Sequence, residues 1–255
     1  MEVITTPRYW ATIQPDFPIP GPNNISWIRC RAGEAAEVIR EGRAIFASRS
    51  LPFVWNLDPE TEPADFSNHL AAFGVHPDPH GSEYATMVLP IEATIDAPRI
   101  EGLEIRDALA HSEDFRSANA AAAEAFGGSA PLQDDLAEIA MLERRRLSTL
   151  AAGNRRWLLA LVDGEPAGAG GLGLFPPGGA TVNGGSVRPK FRGRGVYRAL
   201  VAARLVIARD AGVEGLAVWG GDMSRPILAK LGFQTVGWRR FYLDTSALSP
   251  SGSNQ

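Results

Sequence analysis

Two apolar periods run along this chain, one near four residues and one of two, and the points where one replaces the other mark its elements. Helical spacing is clearest over residues 195–211, where Val196, Leu200, Ala203 and Ile207 fall at i, i+4, i+7 and i+11, and Gly212 ends the run. Residues 34–47 mix alanine, valine, isoleucine and charge in the same manner. Residues 64–73 form a second helical stretch, opened by Pro63 and closed by Gly74, and residues 112–126 and 131–152 form two more, separated by Gly127 and Gly128. Short β-favouring runs occur at 51–57, 84–91 and 103–106. The apolar runs 157–162 and 167–175 are joined by Asp163 and Gly164, a turn that predicts an antiparallel hairpin. A strand at 180–187 follows a proline and glycine loop. The run 215–219 is apolar on both alternating faces, as in a strand covered on two sides. A short helix over 224–231, capped by Ser224 and ended by Gly232, leads to strands at 234–236 and 238–243.

The order of these elements divides the chain near residue 100. Residues 1–24 hold five prolines and little periodicity, which predicts an extended arm on the surface. Residues 25–100 are a smaller N-terminal α/β region with the order helix, strand, helix, strand and no catalytic constellation. Residues 101–244 run β, α, α, β, β, β, α, β, α, β, β. The small polar residues of 245–255 predict a disordered tail.

Composition narrows the function. At about 150 residues per domain, 255 residues allow one large domain or two small ones. With 45% hydrophobic against 21% charged residues, the chain has the composition of a globular protein rather than a disordered one. No apolar run is long enough to cross a bilayer, and the sequence MEVITTPRYW lacks the basic and apolar regions of a secretion signal, so neither membrane insertion nor secretion is expected. A lone cysteine, Cys30, fits a reducing compartment and makes a cytoplasmic location the default. His76 and His80 are spaced i, i+4 but lie in HPDPHG, a loop, so no metal site is expected.

Chemistry concentrates in residues 186–198, SVRPKFRGRGVYR, where a strand ends and a helix begins. The stretch holds Arg188, Lys190, Arg192, Arg194 and Arg198 and no acid, in a chain whose net charge is −4. A glycine turn into a helix leaves backbone N–H groups pointing outward, and the helix dipole adds partial positive charge. Gly193 and Gly195 let the main chain approach an anion closely, and the flanking arginines can pair with further phosphate oxygens. The ligand expected here is a polyanion. Neither a Walker loop nor a G-x-G-x-x-G dinucleotide turn matches this spacing.

This segment resembles the acyl-CoA motif of the GCN5-related N-acetyltransferase (GNAT) family. Arg192, Gly193, Arg194, Gly195, Val196 and Tyr197 match it, preceded by Val187, Arg188 and Pro189, and Leu231, Gly232 and Phe233 match a further family feature downstream. The likeness covers about residues 101–244 and implies a GNAT-type acyl-CoA N-acyltransferase fold, an α/β architecture with a mixed central sheet flanked by helices. It implies that Val187 offers main-chain hydrogen bonds to pantetheine, that residues 192–197 hold the diphosphate of acetyl-CoA, and that the thioester lies in a V-shaped split between the strands ending near Val187 and beginning near Gly215. Ser224 stands where relatives touch the CoA arm. Trp55 ahead of Phe73 and Gly74 echoes Trp219 ahead of Gly232 and Phe233, so residues 25–100 are a candidate degenerate GNAT-like half, structural or substrate-gating in role. The aromatics Trp55, Phe66 and Phe73 suit either a packing core or an acceptor pocket.

The chain also departs from the family. Tyr197 stands at a position usually Gly or Ala, so its side chain must turn away from the pyrophosphate. Leu228 replaces the tyrosine that protonates the departing thiolate in many members. The strand 180–187 offers Thr181, Asn183 and Ser186 but no glutamate base. Glu143 and Asp222 are the remaining candidates for a base acting through water. The expected activity is acetyl transfer from acetyl-CoA to an amine, on a small molecule or a protein. The alternative is a non-catalytic acyl-CoA-binding regulatory protein. A nucleic-acid-binding module is disfavoured by the pI of about 5.6. The acceptor and the oligomeric state, a homodimer included, are left open by the sequence.

Overall fold

The computed structural model describes residues 2–79, 81–128 and 135–248. In chain order the elements are β1 (Glu2–Thr5), β2 (Trp10–Ile13), β3 (Asn24–Ser26), α1 (Ala35–Ala47), β4 (Phe53–Leu57), α2 (Phe66–Ala72), β5 (His76–Pro77) and β6 (Glu83–Pro90). They continue with β7 (Leu103–Asp107), α3 (Ser112–Ala125), α4 (Leu136–Ala152), β8 (Arg155–Val162), β9 (Glu165–Leu174) and β10 (Ala180–Val187). Last come α5 (Val196–Asp210), β11 (Gly215–Gly220), α6 (Arg225–Lys230) and β12 (Gln234–Asp244). The chain forms two compact units, one of residues 1–86, 220–222 and 236–255, the other of residues 87–219 and 223–235. The division read near residue 100 thus falls inside the second unit.

In the first unit the strand order is β1-β2-β3-β4-β12. Residues 1–24 were expected as an extended arm, but residues 2–26 carry the antiparallel hairpin β1–β2 and the strand β3. Their apolar alternation is short, but it buries Ala11, Ile13 and Ile25 completely. β3 and β4 are parallel, paired at Asn24 with Val54 and Ile25 with Trp55, and α1 is the crossover between them. The strands expected at 234–236 and 238–243 are one strand, β12, which continues through Gly237 and pairs antiparallel with β4 over Arg240–Asp244.

The core of this unit is aromatic. Phe46 stacks on Phe53 at 4.2 Å between ring centroids, and Trp55 tilts against Phe53 at 5.3 Å and Phe66 at 6.0 Å. Trp55 and Phe66 are wholly buried and Phe73 packs against their cluster, so of the two roles open to them the structure gives the packing core. Asp244 is buried beside them and accepts hydrogen bonds from Trp55 Nε1 at 3.1 Å, Arg43 Nε at 2.9 Å and the Ser246 hydroxyl at 2.6 Å. Burial pushes its carboxyl up, but the bonds from Ser246, Arg43 and Trp55 outweigh that and hold it below the ordinary value. A depressed folded-state pKa contributes stability that is present above the unfolded value and is lost as pH falls through the folded one. Denaturant melts are therefore expected to show wild type losing stability below about pH 4, with Asp244→Asn less stable at neutral pH and flatter across that acid range.

The second unit has the strand order β11-β10-β9-β8-β7. β8 and β9 form the expected hairpin, with Asp163 at φ 52° and Gly164 at φ 77° in its turn. The sheet is mixed, since β10 runs antiparallel to β9 but parallel to β11. Leu158, Ala160 and Val162 pack with Val196 and Leu200 of α5, whereas Leu159 and Leu161 pack with Ala118 of α3. Alternate residues of β8 thus face helices on opposite sides, which explains its unbroken apolar run. Of the helix expected over 131–152, residues 131–134 lie outside the described residues and Leu136–Ala152 is helical.

Candidate functional site

β10 ends at Val187, Pro189–Phe191 make one 3-10 turn, and α5 begins at Val196. Gly193 and Gly195 both have positive φ, 76° and 88°, which glycine adopts without steric cost. They differ in what they face. An added Cβ on Gly193 would meet nothing within 4 Å, but on Gly195 it would lie 2.7 Å from the Pro98 ring. The approach to Gly193 is therefore open, and Gly195 is the N-cap that lets Pro98 pack under the turn. The first bond entering the helix is from Ala199 N–H to Gly195 O at 3.0 Å, so the N–H groups of Val196, Tyr197 and Arg198 have no acceptor within the helix. No side-chain cap closes this end.

The five bases have separate tasks. Arg188 pairs with Glu124 at 2.6 Å and Glu165 at 2.9 Å, and Lys190 also pairs with Glu165. Arg192 donates from Nε to Val187 O at 3.2 Å and from Nη2 to Ala125 O at 2.8 Å, bracing the turn against the end of α3. Arg194 lies over the Phe191 ring and is exposed, as is Arg198. These last two are the charges best placed to meet phosphate oxygens.

Upstream of the turn, β10 pairs with β11 only at Ala180 with Leu216 and Thr181 with Ala217. Beyond Thr181 the pairing with β11 stops, while β9 follows β10 to Val187 opposite Gly168. Successive peptide groups of a strand point to opposite edges, so half of those from Val182 to Val187 face an edge that β11 does not cover. The register shift between Asn183 and Ser186 places a bulge there, at Gly184 and Gly185.

The side chain of Tyr197 turns onto this bulge. A Cβ built on Gly185 would lie 2.8 Å from the Tyr197 ring and 3.3 Å from Arg204 Nη2. The ring thus packs back against the sheet and leaves the first turn clear, as the family motif requires of a bulky residue there. Burial holds its phenol above the ordinary value.

The proton-transfer candidates fare less well. Glu143 is bonded to Arg146 at 2.6 Å, and bonds from Arg146 and Ser112 take its carboxyl down to about 2, which makes it a feeble base. Asp222 is exposed in the loop after β11 and belongs to the first unit. Asn183 donates to the Thr181 hydroxyl at 3.0 Å, and the Ser186 hydroxyl donates to Ala169 O at 3.4 Å. Leu228 is wholly buried in α6. Ser224 occupies the N-cap position of α6, but its helical backbone (φ −89°, ψ −32°) does not present the hydroxyl to the first turn, and it makes no capping bond. Arg204 and Trp157 were not singled out from the sequence. The glycines of β9 that receive them, in the run AGAGGLG, were the available signal: a Cβ on Gly170 would lie 2.9 Å from the Arg204 guanidinium carbon, and one on Gly171 would lie 2.6 Å from the Trp157 ring.

A glycine turn opening a basic helix start, a β10 edge that β11 leaves unpaired beyond Thr181, and helices on both faces of a mixed sheet are the features that the GNAT resemblance implies for an acyl-CoA transferase fold. Residues 117–233 match the acetyltransferase (GNAT) family model and form a domain of that family. Solved structures similar to the chain include a GCN5-related N-acetyltransferase from Kribbella flavida, 17% identical, covering 98% of this chain and 90% of that one with a TM-score of 0.69. Another, from Sphaerobacter thermophilus, is 15% identical over 92% of this chain and 76% of that one, with a TM-score of 0.64. A tandem GNAT protein from the clavulanic acid biosynthesis pathway, solved without AcCoA, is 17% identical over 87% and 74%, with a TM-score of 0.59. At such identities the likeness is one of fold, and it accords with an extra N-terminal GNAT-like region. No curated protein matches the sequence.

Proposed function

We propose that the protein transfers an acetyl group from acetyl-CoA to an amine. The observation that carries this reading is the continuous path from the uncovered edge of β10, past Val187, to the amide-lined turn at Gly193. Acetyl-CoA enters as a substrate. Its pantetheine amides pair with the free edge like a short extra strand, with Val187 the main-chain anchor. Its diphosphate meets the N–H groups of residues 193–198 with Arg194 and Arg198 alongside, while Arg192 braces the turn. Ser224 stands close to the arm.

The amine nitrogen attacks the thioester carbonyl carbon, the C–S bond breaks, and coenzyme A leaves with the proton that the new amide gives up. Peptide N–H groups on the β10 edge stabilise the oxyanion, and most of the acceleration comes from positioning. Water carries the proton, since Leu228 supplies no acid and Glu143 little basicity. The acceptor is an amine on a small molecule or a protein, and the setting proposed is the cytoplasm.

A second reading, a non-catalytic acyl-CoA binder, is favoured by one observation, the fully buried Leu228 at the position of the acid. Calorimetric titration with acetyl-CoA followed by thiol release with a panel of primary amines separates the two. Binding with thiol release for at least one amine supports the transferase. Binding with silence across the panel supports the binder, and absence of binding overturns both.

A further inference from the structure

Arg204 lies in α5 and is completely buried, yet among the described residues it has no carboxylate partner. It donates from Nε to Leu200 O at 3.0 Å and from Nη1 to Gly171 O at 3.2 Å and Asn183 O at 3.4 Å. Nη2 has no partner and lies 3.3 Å from where a Cβ of Gly185 would stand. Desolvation lowers the guanidinium to about 10, the mark of a cation held at a cost. A buried charge without a counter-ion is a poor device for stability, because an apolar side chain of similar volume commonly serves as well or better. Its position suggests another use. The two glycines of the bulge have no side chains to fix them, and Gly184 has φ 56°. Trp157 closes one face of the bulge at Gly184, with its ring 3.0 Å from a built Cβ, and Tyr197 and Arg204 close the other at Gly185. Of these three side chains, Arg204 is the one bonded, among the described residues, to carbonyls of both strands, Asn183 on β10 and Gly171 on β9.

We propose that Arg204 is a positioning residue for acyl transfer: its guanidinium clamps the glycine bulge of β10 through the Asn183 and Gly171 carbonyls, so that the peptide N–H groups on the free edge hold still as the oxyanion forms. This rests on the transferase reading above. A clamp loosened by a fraction of an ångström lowers the rate of the chemical step far more than it lowers affinity for the long coenzyme, most of whose contacts are elsewhere.

The test compares wild type with Arg204→Met and Arg204→Lys. For Arg204→Met, kcat is expected to fall at least about tenfold while KM and the calorimetric Kd for acetyl-CoA stay within about threefold. Amide hydrogen exchange at residues 183–186 is expected to accelerate about tenfold or more, without a matching loss in global stability. Arg204→Lys is expected to restore part of both. If Arg204→Met does not fold, Gly170→Ala takes its place, since the added methyl displaces the guanidinium without removing its charge. Unchanged kcat, or unchanged exchange at the bulge, overturns the proposal. Should wild type bind acetyl-CoA but acetylate none of the amines tried, the transferase reading fails separately, and unchanged exchange still overturns the clamp.

Discussion

Acetyl-CoA is expected to bind Gly193→Asp about 100-fold more weakly than wild type, with the melting temperature nearly unmoved. Nothing lies within 4 Å of an added Cβ at Gly193, and aspartate is among the few residues that accept a backbone at φ 76°. The new carboxylate would compete with the diphosphate for the N–H groups at the start of α5. Losing one or two charge-assisted hydrogen bonds at about 1.5–3 kcal/mol each gives that 100-fold, roughly 2.7 kcal/mol. Gly193→Asn, similar in shape but uncharged, should weaken binding much less. Calorimetric titration decides, and equal affinity for the aspartate variant and wild type would remove the phosphate seat. Substitution at Gly195 cannot make this distinction, because its Cβ would press on Pro98 and its φ of 88° penalises any side chain, so folding would suffer along with binding.

Trp55→Ala should destabilise the first unit by about 3–5 kcal/mol, the usual range for emptying a buried indole site. The ring is wholly buried, tilted against Phe53 and Phe66, and seated on Gly42, where a built Cβ would fall 2.5 Å from it. Its removal also strips a donor from the buried Asp244 carboxylate. Guanidinium melts followed by circular dichroism would measure the loss. A change below about 1 kcal/mol would mean that the indole is not part of a packed core.

The contrast between Gly193 and Gly195 shows where the sequence speaks and where it stops. Four apolar residues at helical spacing were enough for α5, Asp163-Gly164 for the hairpin turn, and the bounds 180–187 for β10. β1, β2, β3 and β5 were not legible, because two to four residues give alternation no length to register, and prolines nearby pointed to irregular chain. Strands read separately at 234–236 and 238–243 are one, and ladder pairing of Arg240–Asp244 with β4 is set by tertiary structure. At the site, spacing located the turn but could not tell which glycine faces solvent. Arg204 was hidden because a helical arginine ordinarily stands in water, and only its glycine neighbours on β9 place it indoors.

The crossover from β3 to β4 through α1 has the form of that from β10 to β11 through α5, each parallel pair meeting at two registered positions. Their helix entrances differ. At the first, Glu34 accepts a hydrogen bond from the Arg31 N–H at 2.8 Å, and Glu37 follows in the opening turn, so negative charge of the chain itself stands at this entrance and repels an incoming phosphoryl group. The loading ratio follows from this repulsion. A titration should saturate at one equivalent of coenzyme per polypeptide, although the chain has two crossovers of the same form.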